Sequence, residues 1–194
     1  METNAFESLR EFVARREGVN AGALVDYISA YFSNTDATVL QARGAEFLVA
    51  QASAHLRLLD ASPGASGARV RVFNPTPDED GFVSEHTIVQ IIQDDMPFLV
   101  DSVTMAVNSQ GHVAHWIVHP LLSVELDPQR RLVGVTPAAQ QVDKAKPIQS
   151  FISIECDRLV SASDRQALAL ELERVLHDVH DAVEDWEEIG RAHV

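Results

Sequence analysis

A single cysteine, Cys156, stands among 194 residues. One thiol forms no internal disulfide and builds no CxxC zinc or redox site, and it fits a reducing compartment. Positive charge is scarce too. Lys and Arg number 15 against 29 Asp and Glu, for a formal net charge of −14 and an isoelectric point of about 4.8. A surface this acidic repels phosphate backbones, so nucleic acid and anionic membrane are poor partners; otherwise the charge serves solubility and says nothing about fold. No apolar run approaches the ~20 residues that a membrane helix needs. Met1 to Glu17 mixes Glu and Arg and has no apolar stretch, so no secretory signal is visible. These absences predict a soluble, cytoplasmic protein. Catalytic signatures are missing as well: the sequence has no P-loop, no G-x-G-x-x-G and no G-x-S-x-G.

What is present divides at Ala61-Ser62-Pro63-Gly64-Ala65-Ser66-Gly67, a run of small and turn-forming residues. Before it, residues 3–60 read as helical. Leu24, Val25, Ile28, Tyr31 and Phe32 share one helix face, and Phe47, Leu48, Ala52, His55, Leu56 and Leu59 share another. Asp36 suits the cap of a short turn between them. After the boundary the pattern alternates. Strands are expected at 69–73, 85–93, 112–126 and 150–157, with helices at 97–109 and 163–188. Thr87 to Ile92 is apolar on both faces, as a central strand is. Residues 132–146 read as a long polar loop. Ser163-x-x-Gln166 has the form of a capping box opening the last helix.

The expected fold class is therefore α+β: a helical leader at 1–66, then a domain at 67–194 with a four-stranded antiparallel sheet covered by two helices. The order is close to the βαββαβ of a ferredoxin-like domain, with the last strand missing and an extra one before the first. A strand at 69–73 placed against 85–93 would complete a permuted ferredoxin-like sheet. A rival arrangement puts the final strand beyond Val194.

Chemistry-bearing residues are few. His115 and His119 lie ~13 Å apart along one strand at ~3.3 Å per residue and cannot share a metal, while His112 and His115 point to opposite faces. His177 with Asp181, and His180 with Glu184, are i, i+4 pairs on a solvated helix face, which needs a third ligand to hold zinc. No metal site and no catalytic residue is assigned. The stretch with most content is Gln93-Asp94-Asp95-Met96-Pro97-Phe98, where a strand turns into a helix. Asp94 and Asp95 suit capping of that helix, contact with a ligand or partner, or catalysis, in that order. Free N–H groups at a helix start attract a carboxylate. Acidic side chains at the rim would receive an ammonium, so an amino acid is the simplest matching ligand.

Gln90-Ile91-Ile92-Gln93-Asp94-Asp95-Met96-Pro97-Phe98-Leu99-Val100-Asp101-Ser102-Val103 resembles the N-terminal segment of the large bacterial NAD-specific glutamate dehydrogenases. So do Val70-Arg71-Val72-Phe73-Asn74-Pro75 and Val118-His119-Pro120-Leu121-Leu122, and residues 20–60 look like that family's leader. The resemblance implies an ACT-type, ferredoxin-like domain, non-catalytic and without its own cofactor. The dehydrogenase domain that uses NAD would lie elsewhere in an enzyme converting L-glutamate to 2-oxoglutarate and ammonia. The expected role is regulation and assembly, with other domains or protomers of the same enzyme as partners. The alternative is an allosteric sensor binding a free amino acid through Asp94, Asp95, Met96, Pro97 and Phe98. Phe98 stands where the ligand loops of ACT domains usually carry glycine, which lets a ligand approach the backbone. That departure favours packing over sensing.

Overall fold

The strand Thr87–Asp94 is buried from Thr87 through Gln93, which places it inside the sheet, as its two apolar faces require. The computed structural model describes residues 7–13 and 21–192, with side chains through Trp186. Those at 3–6 and 14–20, included in the helical reading of the leader, lie outside the described residues. In chain order the elements are α1 (residues 7–13), α2 (Ala21–Tyr31), α3 (Ala37–Arg43), α4 (Ala45–Arg57), β1 (Arg69–Phe73), α5 (Pro77–Asp80), β2 (Thr87–Asp94), α6 (Leu99–Ser109), β3 (Ala114–Val118), β4 (Leu121–Leu126), β5 (Leu132–Pro137), β6 (Gln149–Cys156) and α7 (Ala162–Ala192). The α+β class and the helical leader are both found.

All strand pairs are antiparallel. β2 lies between β1 and β6, with Arg69 opposite Ile92 and Thr87 opposite Cys156. The other side of β6 is shared: β3 pairs with its C-terminal half and β4 touches its start at Ser150 and Gln149. β1 thus fills the place beside β2 that the final strand of a ferredoxin-like sheet would take, which is the permuted arrangement. The sheet has six strands where four were expected. One strand foreseen at 112–126 is two. The break falls at His119-Pro120, where proline lacks an N–H and offers its carbonyl to Phe151 N at 3.0 Å. The other addition is β5, foreseen as loop. Asp127 makes the turn into it by accepting the backbone N–H groups of Gln129 and Arg131, each at 2.9 Å.

Side-chain alternation gives the sheet two covered faces rather than one. Val89, Ile91, Ile152, Ile154 and Cys156 meet α6 and α7 through Leu99, Val103, Val107, Leu168, Leu172 and Leu176. On the reverse, Ile92, Phe151, Val118 and Leu122 meet the leader through Tyr27, Ile28, Tyr31, Phe32 and Leu48. Asp36 caps α3 as expected, its carboxylate accepting Thr38 N at 2.7 Å. α7 is capped two residues earlier than the capping-box pattern indicated: Ser161 Oγ accepts Ser163 N at 3.1 Å.

Candidate functional site

The five residues singled out at the β2–α6 junction go to three different places. Asp95 turns toward the sheet. Its backbone N–H donates to Ile148 O at 2.9 Å, and its Oδ1 accepts the Ser150 hydroxyl at 2.7 Å. His119 Nε2 lies 3.1 Å from the same hydroxyl. Burial pushes the His119 pKa below the usual histidine range, and the Asp95 carboxylate opposes that shift. Serine sits between aspartate and histidine here, and it is fully buried. A nucleophilic triad needs the histidine in the middle and the serine exposed to substrate, so these three pin the junction to β6 and attack nothing.

Capping of α6 by Asp94 or Asp95 does not occur. Pro97 and Phe98 form a turn, the helix starts at Leu99, and its N-cap is Phe98 with no side-chain cap bond. Proline fixes φ and lacks an N–H, and the turn it begins delays the helix by two residues. Phe98 has φ +69°, the left-handed region that favours glycine. The backbone therefore keeps the glycine-like turn of such loops while carrying a phenylalanine. Its ring points outward, 68% exposed.

Asp94 and Met96 border a small cavity of about 250 Å³ with Gln93, His180 and the 65–67 loop. Gln93 is buried there, its Nε2 3.9 Å from Met96 Sδ and its Oε1 without a hydrogen-bond partner. Pro97 and Phe98 instead border an apolar groove of about 740 Å³ between α6 and the outer half of α7.

A second cluster was not foreseen. Glu155, buried on β6, receives both ends of the Arg43 guanidinium at 2.5 and 2.9 Å. Arg43 lies over the Trp116 ring at 3.8 Å, and Trp116 stacks on Phe32. His86 approaches the other face of this group: its Nδ1 is 3.7 Å from Glu155 Oε2 and its ring is 4.6 Å from that of His115. His115 in turn contacts Asp157 at 2.7 Å. The Val113 N–H, more than His115, holds the Asp157 carboxyl below the usual range. The sequence signal was faint: one acidic residue at an inward position of β6. Among the described residues no three His, Cys, Asp or Glu side chains are placed to hold a metal ion. His177 stands 3.4 Å from Asp181, and His180, at the cavity border, stands 3.7 Å from Glu184. Cys156 is buried, and burial raises its pKa to about 11, so its thiol is inert. No helix among the described residues is long and apolar enough to cross a membrane.

A family model described as "Glutamate dehydrogenase, ACT1 domain" matches residues 27–172. The chain belongs to this family. The ACT1 match begins inside α2 and takes in α3 and α4 together with the whole sheet. Over 119 residues the chain is 36% identical to an NAD-specific glutamate dehydrogenase of Halomonas elongata, covering 61% of this chain and 7% of that protein. Over 118 residues it is 36% identical to the enzyme of the same name from Pseudomonas aeruginosa, again 61% of this chain and 7% of the relative. The ACT1 chain thus aligns with only a small fraction of the curated relatives' length. No solved structure matches it.

Proposed function

We propose that this ACT1 chain is the non-catalytic, N-terminal regulatory and assembly segment of a cytoplasmic NAD-specific glutamate dehydrogenase. The whole enzyme would convert L-glutamate, NAD and water to 2-oxoglutarate, ammonia and NADH at a domain elsewhere in the polypeptide, and this segment would bind no cofactor. Its partners would be other domains or protomers of that enzyme. The observation that carries the reading is the use of Asp95. The Asp95 carboxylate accepts the Ser150 hydroxyl and ties the junction to β6, and Phe98 occupies the glycine position of the turn. Such a junction supports packing better than ligand exchange. Deleting residues 1–194 from the full-length enzyme tests this. The expected result is loss of the native oligomer, read by light scattering, with measurable glutamate oxidation surviving. Dehydrogenase activity in the 194 residues alone would overturn it.

The cavity bordered by Asp94 and His180 favours the sensor as the second reading. A free amino acid would place its ammonium against Asp94. Calorimetry of the full-length enzyme against a panel of amino acids, with Asp94→Asn as control, separates the two. The sensor reading requires heat that the variant loses, and no heat from any amino acid ends it.

A further inference from the structure

The last helix continues past the sheet it covers. α7 has 31 residues, about 46 Å at 1.5 Å per residue. Its first half buries Leu168, Leu172 and Leu176 against the sheet, at 2%, 0% and 0% exposure. The same stripe continues as Val179, Val183 and Trp186, where, among the described residues, Pro97, Phe98 and Ser102 flank it. Trp186 is 78% exposed, and Met105, one turn beyond Ser102 on the same face of α6, is 70% exposed. An amphipathic stripe that runs on for about two turns, with Val179 and Val183 partly buried and Trp186 exposed, beside an outward-turned phenylalanine, is the shape of a helix-binding groove. Aromatic rings of this size dominate interface energetics when they are buried.

Charge selects the occupant. From residue 178 to 188 the helix carries six acidic residues and no Lys or Arg. A second copy docking here through its own α7 would bring two such rows together, and like charges at close range oppose that pairing. The complementary occupant is an amphipathic helix of about three turns, apolar on one face and flanked by Lys and Arg.

We infer that the groove between Phe98 and Trp186 docks a basic amphipathic helix from another part of the same long polypeptide. This rests on the glutamate dehydrogenase reading, since the curated relatives aligned with this chain are matched over only 7% of their length. It adds the docking face and the chemistry of what it receives. The test uses the full-length protein, half of it labelled with ¹⁵N, and a zero-length carbodiimide that joins carboxylates to amines. Mass spectrometry should find Asp181, Glu184 or Asp185 joined to lysines outside residues 1–194 of the same molecule. The exposed triple D181K with E184K and D185K should lose these links and raise amide exchange in residues 177–186 at least tenfold. Links only to residues 1–194 of a second copy, links only to a separate protein, or exchange unchanged in the variant would each overturn the inference. A reading frame without a dehydrogenase domain would instead defeat the proposed function, which sequencing of the gene reports separately.

Discussion

Arg43 and Glu155 show how one ion pair holds the leader to the sheet. Glu155 lies near the C-terminal end of β6 with its side chain 2% exposed, while Arg43 is 26% exposed at the end of α3. A buried pair adds little over a well-packed apolar one, but removing one partner strands the other charge, at a cost of about 3–5 kcal/mol. Arg43→Met should therefore destabilise the fold near the low end of that range, because water reaches the guanidinium side. Urea unfolding measures it, and Arg43→Met with Glu155→Leu should recover most of the loss; equal losses in single and double variants would refute a stranded charge. Phe98 poses a different question. A left-handed non-glycine residue costs about 1–2 kcal/mol, and glycine gives back about 0.5–1 in chain entropy. Phe98→Gly should thus be about 0.5–1 kcal/mol more stable than Phe98→Ala, although both lose the exposed ring. His55 sets a pH dependence. It is fully buried, and Ile91 O lies 3.0 Å from its Nε2, so that nitrogen carries the proton and Nδ1 accepts the Tyr31 hydroxyl at 2.7 Å. Desolvation drops its pKa to about 3, against an ordinary value of 6.5. Between these values the unfolded chain binds a proton that the folded one refuses, so stability falls as pH drops from 6.5 toward 3, by about 1.4 kcal/mol per unit. His55→Gln should flatten that slope in urea midpoints taken from pH 6.5 to 4; an unchanged slope would place the titration elsewhere.

At the scale of elements, legibility followed burial. β1, β6 and α7 were readable because each has one strong apolar period, and β2 because it is apolar on both faces; tertiary packing only moved their ends. β5 was not. Leu132 and Val135 are only partly buried, Gly134 and Pro137 weaken the run, and the strand exists because the Asp127 turn returns it against β4. The division at Pro120 was not legible, because β4 leaves β6 after Leu122 to pair with β5, which the sequence read as loop. The site fared similarly. Asp94 to Phe98 were rightly seen as a strand-to-helix junction. Their separate destinations depend on Ser150 and on the length of α7, and neither is near them in sequence. That dependence predicts how the junction fails. Ser150→Ala removes the donor to the exposed Asp95, whose carboxylate water can then reach, so the loss should be that of one ordinary hydrogen bond, about 0.5–1.5 kcal/mol. Amide exchange should quicken first in residues 95–98. Quickening confined to β6 would mean that Ser150 serves the strand and not the junction.

The whole molecule shares one core across the leader and the sheet. Ile88, Ile92, Val118, Leu122 and Phe151 are buried beneath the leader helices, together with the polar Gln90, Ser153 and Glu155. Fully burying a large apolar side chain contributes about 1.5–3 kcal/mol, so uncovering those five forfeits about 7–15 kcal/mol. That matches the entire stability of an ordinary domain, about 5–15 kcal/mol. The polar residues offset part of the loss, since Gln90, Ser153 and Glu155 would regain water. A chain of residues 67–194 alone should consequently not hold its fold, while residues 1–194 should unfold in a single transition. Coincident midpoints from far-ultraviolet circular dichroism and from Trp116 fluorescence, with Trp186→Tyr to silence the exposed indole, would show the single transition. A cooperative, native-like unfolding of 67–194 alone would make the leader a separate unit resting on a sheet that stands without it.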